Sequence, residues 1–363
     1  MTQPSLFDMI SADIKQVKTK EKKSKKPSAP RGKVKDYTKP PMVASPKKKK
    51  VDVYQLLTDN VLAAFEAAKK GGKWKRPWDA AAGSPENAIT KKAYRGVNVL
   101  ILWMAAQSQG YLENSWLTFK QAKKAKLSIK KGEKSTLIYW HQPREVKDEN
   151  GDVIDTYPVF RYYRVYNTSQ LTEESRKTLG VTKKKAPTKK QVTKQYTAAF
   201  SRLNDALSSF GVGREIGSPC YIPSRDVIKM PEVEKFHSPE EYVSTLAHET
   251  VHSTGHESRL NRDLTGHFGK PTYAFEELVA EIGSAFLCCQ LGISQPALMK
   301  NHGQYINSWM RLMKKEKKAF TNAARLATKA VDLVLSQAEE APAPSPKKGK
   351  KSSKAASSQS ASA

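Results

Sequence analysis

Three lysine-rich stretches decide how much of this 363-residue chain can fold. Residues 15–50, 181–195 and 341–363 carry net charges of +13, +6 and +5, out of +28 for the whole chain. Runs such as Lys47–Lys50 repel themselves and offer no apolar face, so they are expected to stay solvated rather than enter a core. The sequence left to fold is residues 51–180 and residues 196–340, the latter nearly neutral at −1. The expected organisation is a basic arm over 1–50, a first domain over 51–180, a basic linker over 181–195, a second domain over 196–340 and a basic tail over 341–363. Lysine-rich arms release counterions when they meet phosphates, which gives affinity for nucleic acid without sequence preference.

No run approaches the roughly 18 apolar residues that a membrane helix needs, and Met1–Ile10 lacks a basic start followed by an apolar segment. With Cys220, Cys288 and Cys289 as the only cysteines, two of them adjacent, reduced thiols in a bacterial cytoplasm are expected, with no membrane partner.

Hydrophobic spacing gives an α+β first domain and a mostly helical second one. Val53, Leu56, Leu57, Val61, Leu62 and Phe65 recur at helical spacing until Gly71-Gly72, and a second helix is read over Val97–Gln109. Ser115–Phe119 reads as a strand, and residues 135–141 and 153–166 as a hairpin around the polar turn Lys147–Gly151. In the second domain helices are expected at about 196–210, 238–255, 271–291, 296–316 and 318–337, with β-formers over Tyr221–Met230.

The residues with the clearest chemistry are His248-Glu249-Thr250-Val251-His252. Two histidines four apart share a helix face and can reach one ion, with Glu249 beside them as a general base. Zinc takes imidazole nitrogen at about 2.0–2.1 Å and keeps one position for water in a catalytic site; manganese is the alternative divalent ion. Three groups compete for the third ligand. His256 extends the stripe but drifts round the helix, and Gly255 ends that helix; His267 sits on a glycine-flanked loop. Glu277 is the better candidate, 25 residues beyond His252 on a returning helix, with Glu281 one turn later to hold a ligand imidazole by its other N–H. Glu276 is read as a solvated surface charge, about 100° round the helix. Tyr273 and His256 are the candidate oxyanion donors. The spacing resembles the gluzincin pattern, and the expected activity is that of a zinc metallopeptidase of unknown substrate.

Tyr221-Ile222-Pro223, Asp226, Ile228, Met230-Pro231, Phe236, the stretch His248–Arg262, Phe268-Gly269 and Tyr273–Leu287 together resemble the ArdC-type antirestriction proteins. Trp74, Pro77-Trp78, Asn87, Tyr94–Asn98, Trp116–Ala122 and Lys130–Lys134 resemble the same family's N-terminal single-stranded-DNA-binding domain, which TraC-type primases share. Ser253 departs from the tryptophan usual there. The resemblance implies a DNA-associated antirestriction protein with a zincin-like metallopeptidase domain. Its alternative is a coating protein for single strands whose metal domain is structural or autoproteolytic. For DNA contact the reading selects Trp74 and Trp78 as stacking rings in a cationic loop. Arg95, Asn98, Lys120, Gln121 and Lys131 are added as polar contacts, Arg95, Asn98, Lys120 and Gln121 on the family pattern. Gln3, Leu6 and Phe7 further match the QxxLF peptide that docks on the bacterial sliding clamp, with the basic arm as its tether.

Overall fold

The structure is a computed structural model that describes residues 52–69, 83–181, 189–266, 271–293 and 302–340. Trp74, Trp78, His267 and the Gln3–Phe7 peptide lie outside the described residues.

The first part holds helices α1 (Val53–Lys69), α2 (Val97–Gln109), α3 (Phe119–Lys124) and α4 (Glu173–Thr178). Its strands are β1 (Glu86–Asn87), β2 (Ser115–Thr118), β3 (Thr136–Lys147) and β4 (Val153–Asn167). They form one sheet in the order β1-β2-β4-β3, with β1 parallel to β2 and the other pairs antiparallel. Helix α2 occupies the expected residues and ends where Gly110 turns left-handed (φ 65°), its N–H returned to the carbonyls of Ala106 and Gln107. Helix α3 goes beyond the expected strand. Thr118 and Gln121 form a reciprocal capping box that starts a helix directly after β2.

The second part holds α5 (Lys189–Ser209), β5 (Gly213–Ile216), β6 (Cys220–Ile222), β7 (Val227–Met230), α6 (Pro239–Ser253), α7 (Pro271–Gln290), α8 (His302–Lys315) and α9 (Ala319–Glu340). The basic linker is thus shorter than expected, because α5 begins inside it at Lys189. The short strand β5, which has no alternating pattern long enough to signal it, pairs parallel with β7, and β6 pairs antiparallel on the other side. Strand β6 is therefore an edge.

The first part keeps two small buried clusters of its own, one around Leu117 and Leu171 and one around Leu102, Trp116 and Val165, but the largest cluster is shared by both parts. That cluster runs from Leu57, Val61 and Phe65 of α1 and Leu100 and Trp103 of α2 into α5–α9. Phe65 meets Trp309 edge-on at 6.3 Å, and Trp103 meets Phe286 at 5.8 Å. Across the same boundary Arg95 pairs with Asp332 and Lys317 with Asp52, while Thr58 donates to the Lys317 carbonyl at 2.8 Å. The helical stripe of α1 was legible; its partner was not. Because α1 and one side of α2 are covered by the helices of the second part, denaturant should unfold residues 52–340 in one cooperative step. Phe65→Ala should cost about 3–5 kcal/mol. Two resolved transitions, one for each part, in far- and near-ultraviolet circular dichroism would show that the shared cluster does not couple them.

Candidate metal centre

Helix α6 carries the HExxH residues. Ser238 caps its start by accepting from the Glu241 N–H at 3.2 Å, Pro239 supplies the first turn, and Glu240 and Glu241 face the positive helix end. Helix α7 crosses it closely at Gly283, where a Cβ would stand 2.8 Å from a Val251 methyl. A side chain there would push α7 away, and with it the carboxylate that completes the site.

His248, His252 and Glu277 converge, with their donor atoms all within 4.8 Å of one another. The two imidazole Nε2 atoms are 3.1 Å apart, and each is 3.6 Å from a Glu277 oxygen. Ligands held about 2.0–2.1 Å from a tetrahedral ion stand roughly 3.3 Å from each other, so the two imidazole nitrogens and the carboxylate fit one divalent cation. The electrostatics agree. Burial lowers the pKa of His248, but Glu277, Glu249 and Glu281 outweigh it and push it up to about 9. Burial raises Glu277 too, yet the hydrogen bond with His248 and the charges of both imidazoles hold it down to about 2. A pocket that favours an imidazolium this strongly favours a cation. Glu249 lies buried beside the ligands with its pKa raised, first by burial, and accepts the Tyr221 backbone N–H.

The orienting carboxylate is not the one expected. Glu276 is 7% exposed, not a surface charge, and accepts from His252 Nδ1 at 3.1 Å. Arg262 grips it with two bonds, Nε to Oε2 at 2.9 Å and Nη2 to Oε1 at 2.7 Å, while also donating to Thr254 Oγ1 and the Val251 carbonyl at 2.8 Å each. The chain after α6 folds back so that Arg262 and His252 reach α7 from the same side, which a 100° offset on an isolated helix cannot reveal. Glu281 is buried as expected, and its charge acts on His248. It makes no bond to the second nitrogen of that ring, since His248 Nδ1 has no hydrogen-bond partner among the described residues. The hold on a ligand imidazole therefore comes from Glu276.

The centre floors a cleft of about 480 Å³ whose walls include Tyr221, Phe236, Tyr273 and Tyr305. Tyr273 bonds Glu277, and its hydroxyl lies 3.2 Å from that of Tyr305, which stacks on Trp309. Tyr305 was missed because nothing in α8 marks it apart from an ordinary apolar stripe. His256 is not among the residues lining the cleft or converging with the ligand triad; its Nδ1 meets Ser258 Oγ at 2.8 Å and accepts the Ser258 N–H, which shapes the loop. Arg259 locks that loop to the β6–β7 corner through Asp226 (2.9 Å) and Tyr221 OH (3.2 Å). Ser253 is fully buried and donates to the Thr250 carbonyl at 2.8 Å.

In the first part, two of the polar residues selected for DNA hold the scaffold together. Asn98 clips the edge strand β3, donating to the Tyr139 carbonyl at 2.5 Å and accepting its N–H at 2.8 Å. Gln121 is consumed by the Thr118 cap and by Asn87. Arg95 is engaged by Asp332. Lys120 and Lys131 are exposed.

Residues 202–326 match the family of zincin-like metallopeptidases, and residues 51–166 match the N-terminal domain of the anti-restriction factor ArdC. The uncharacterized protein y4eC of Sinorhizobium fredii is 32% identical over 302 residues, covering 80% of this chain and 94% of its own. A DNA primase TraC of Escherichia coli is 33% identical over 290 residues, 75% of this chain; the match spans only 26% of the primase. Two crystal structures of the antirestriction ArdC protein from plasmid R388 superpose with a TM-score of 0.61. The metal-free form is 33% identical and covers 80% of this chain and 98% of its own; the Mn(II)-bound form is 31% identical and covers 80% and 99%.

Proposed function

This chain belongs to the ArdC antirestriction family, and from that premise we propose that it joins a divalent-metal peptidase centre to a module that binds single-stranded DNA, protecting incoming DNA from restriction. The observation that carries the peptidase reading is Glu249. A structural metal site needs three or four ligands and no base, whereas here a buried carboxylate with a raised pKa stands beside the ligand set.

His248, His252 and Glu277 would hold the ion, zinc by the chemistry of the donors, with manganese the alternative suggested by the R388 relative. When bound, a divalent ion supplies Lewis acidity to a carbonyl and lowers the pKa of water. Glu249 takes the proton of the water as the water oxygen bonds to the peptide carbonyl carbon, and then delivers that proton to the amine nitrogen. The C–N bond therefore breaks after the C–O bond has formed, and the amine leaves neutral. Glu276, fixed by Arg262, keeps His252 in the tautomer that leaves Nε2 free. Tyr273 is the candidate donor to the oxyanion, with Tyr305 beside it in the cleft. The first part supplies the DNA contact, through a basic surface that includes Lys120 and Lys131 and through Trp74 and Trp78; the N-terminal Gln3, Leu6 and Phe7 peptide would add the sliding clamp as a partner in a bacterial cytoplasm. Among the described residues no helix is long and apolar enough to cross a membrane.

Metal analysis tests the centre directly. His252→Ala and Glu277→Ala should each lose stoichiometric metal and the stabilisation that metal gives the folded protein, while His256→Ala should keep both. Retention of metal by Glu277→Ala alongside its loss in His256→Ala would remove Glu277 from the ligand set.

A further inference from the structure

The β3–β4 hairpin carries aromatic side chains that the protein's own core does not use. Along one face of the ribbon, Val165 stands opposite Thr136, Tyr163 opposite Ile138 and Arg161 opposite Trp140; directly opposed residues share a face. The inner end of this row is buried, with Val165 fully covered and Ile138 at 8%. The row then leaves the protein while staying aromatic. Tyr163 and Trp140 are each 42% exposed, and their rings meet edge-to-face at 6.4 Å and 70°. On the other face Tyr162 is 52% exposed. By contrast Trp103 and Trp116 of the same part of the chain are 1% and 0% exposed.

The charges around this row are of one sign. Residues 135–140 and 161–166 contain Arg161 and Arg164 and no carboxylate. Arg161 has no ion-pair partner among the described residues, and Arg164 donates only to Ser135 Oγ at 3.3 Å. The tip of the hairpin, residues 145–155, is the reverse in balance: Glu145, Asp148, Glu149, Asp152 and Asp155 outnumber Lys147, which pairs with Glu145 at 3.8 Å. An anionic strand would therefore be repelled from the tip and held at the root.

We propose that the root of this hairpin is a stacking platform for single-stranded DNA, with bases laid on Trp140 and Tyr163 and a backbone phosphate on Arg161. The proposal rests on the DNA-binding reading of the first part and moves its stacking surface to residues that reading did not select. A single strand fits better than a duplex because only unpaired bases expose the flat faces that such rings bind, and it fits better than a peptide because the flanking charges are all cationic.

The test uses the full chain and fluorescence anisotropy with a labelled oligo(dT), a matched duplex and oligo(U), over a salt series. Trp140→Ala and Tyr163→Ala should each weaken oligo(dT) binding, roughly ten-fold to a hundred-fold, with the salt slope unchanged. Trp140→Phe should restore most of the loss. Arg161→Gln should lower the slope by about 0.7, the share of one phosphate contact on a single strand. Both rings are half exposed, so melting temperatures should match the parent, which separates lost contact from lost fold. If the parent binds oligo(dT) and the ring variants bind it equally well, the platform is wrong while the DNA-binding reading stands. Failure of the parent itself to bind would remove both. Equal losses on the duplex would exclude stacking and overturn the platform, and preferential binding of oligo(U) would overturn DNA as its occupant.

Discussion

Exchanging Glu249 for Gln should leave metal content and melting temperature close to the parent and reduce peptide hydrolysis by about 10²- to 10⁴-fold, the range for loss of a positioned general base. Gln is the informative replacement because its amide oxygen can still accept the Tyr221 N–H that Glu249 accepts. What it cannot do is take a proton from water. The measurement is single-turnover cleavage of a denatured protein substrate, with metal quantified in the same samples. Protection of transferred DNA should be scored in parallel. A variant that cleaves nothing yet protects as well as the parent would favour the non-enzymatic reading, in which the metal domain is structural. A variant that cleaves as fast as the parent would leave Glu249 without a role in the reaction.

The second large effect is expected at Glu276. Burial pulls its pKa up, but Arg262 and His252 together outweigh that pull and hold it below the ordinary range. Both side chains are nearly enclosed, at 4% exposure for Arg262 and 9% for Glu276. Glu276→Ala would leave a guanidinium without its carboxylate inside the protein, a loss that costs about 3–5 kcal/mol. It would also remove the partner of His252 Nδ1, which should lower metal affinity roughly 10- to 100-fold. Glu276→Gln, which keeps an acceptor oxygen, should fall between. Chelator competition and denaturant unfolding measure the two quantities separately. If Glu281→Ala loses the metal while Glu276→Ala retains parental affinity and stability, the role of orienting carboxylate returns to Glu281, as spacing alone suggested.

These two residues mark where sequence reasoning reaches and where it stops. His248, Glu249 and His252 were legible because a helix converts a spacing of four into a shared face; that relation is local and survives any tertiary arrangement. Glu277 was legible at one remove, through a return helix with a carboxylate at a workable distance. Helix α2, the long hairpin and the helices α6–α9 followed in the same way from periodicity that each segment carries within itself.

Tertiary structure decided the rest, because each remaining feature depends on what another segment brings. Glu276 becomes buried only because Arg262, on the loop after α6, arrives beside α7 with a guanidinium that compensates its charge. His256 is not among the groups that converge on the centre or line its cleft, because the chain turns after α6 and Ser258 holds its Nδ1 in that loop. Asn98 and Gln121 have polar side chains that suit DNA equally well; the edge strand β3 and the Thr118 cap claim them first. The apolar stripe of α1 announced that it would be covered, but only the fold shows that α8 covers it, so that the largest buried cluster is common to both parts. Spacing along the chain fixes the face on which a side chain emerges, whereas its burial, its charge and its function depend on what that face meets.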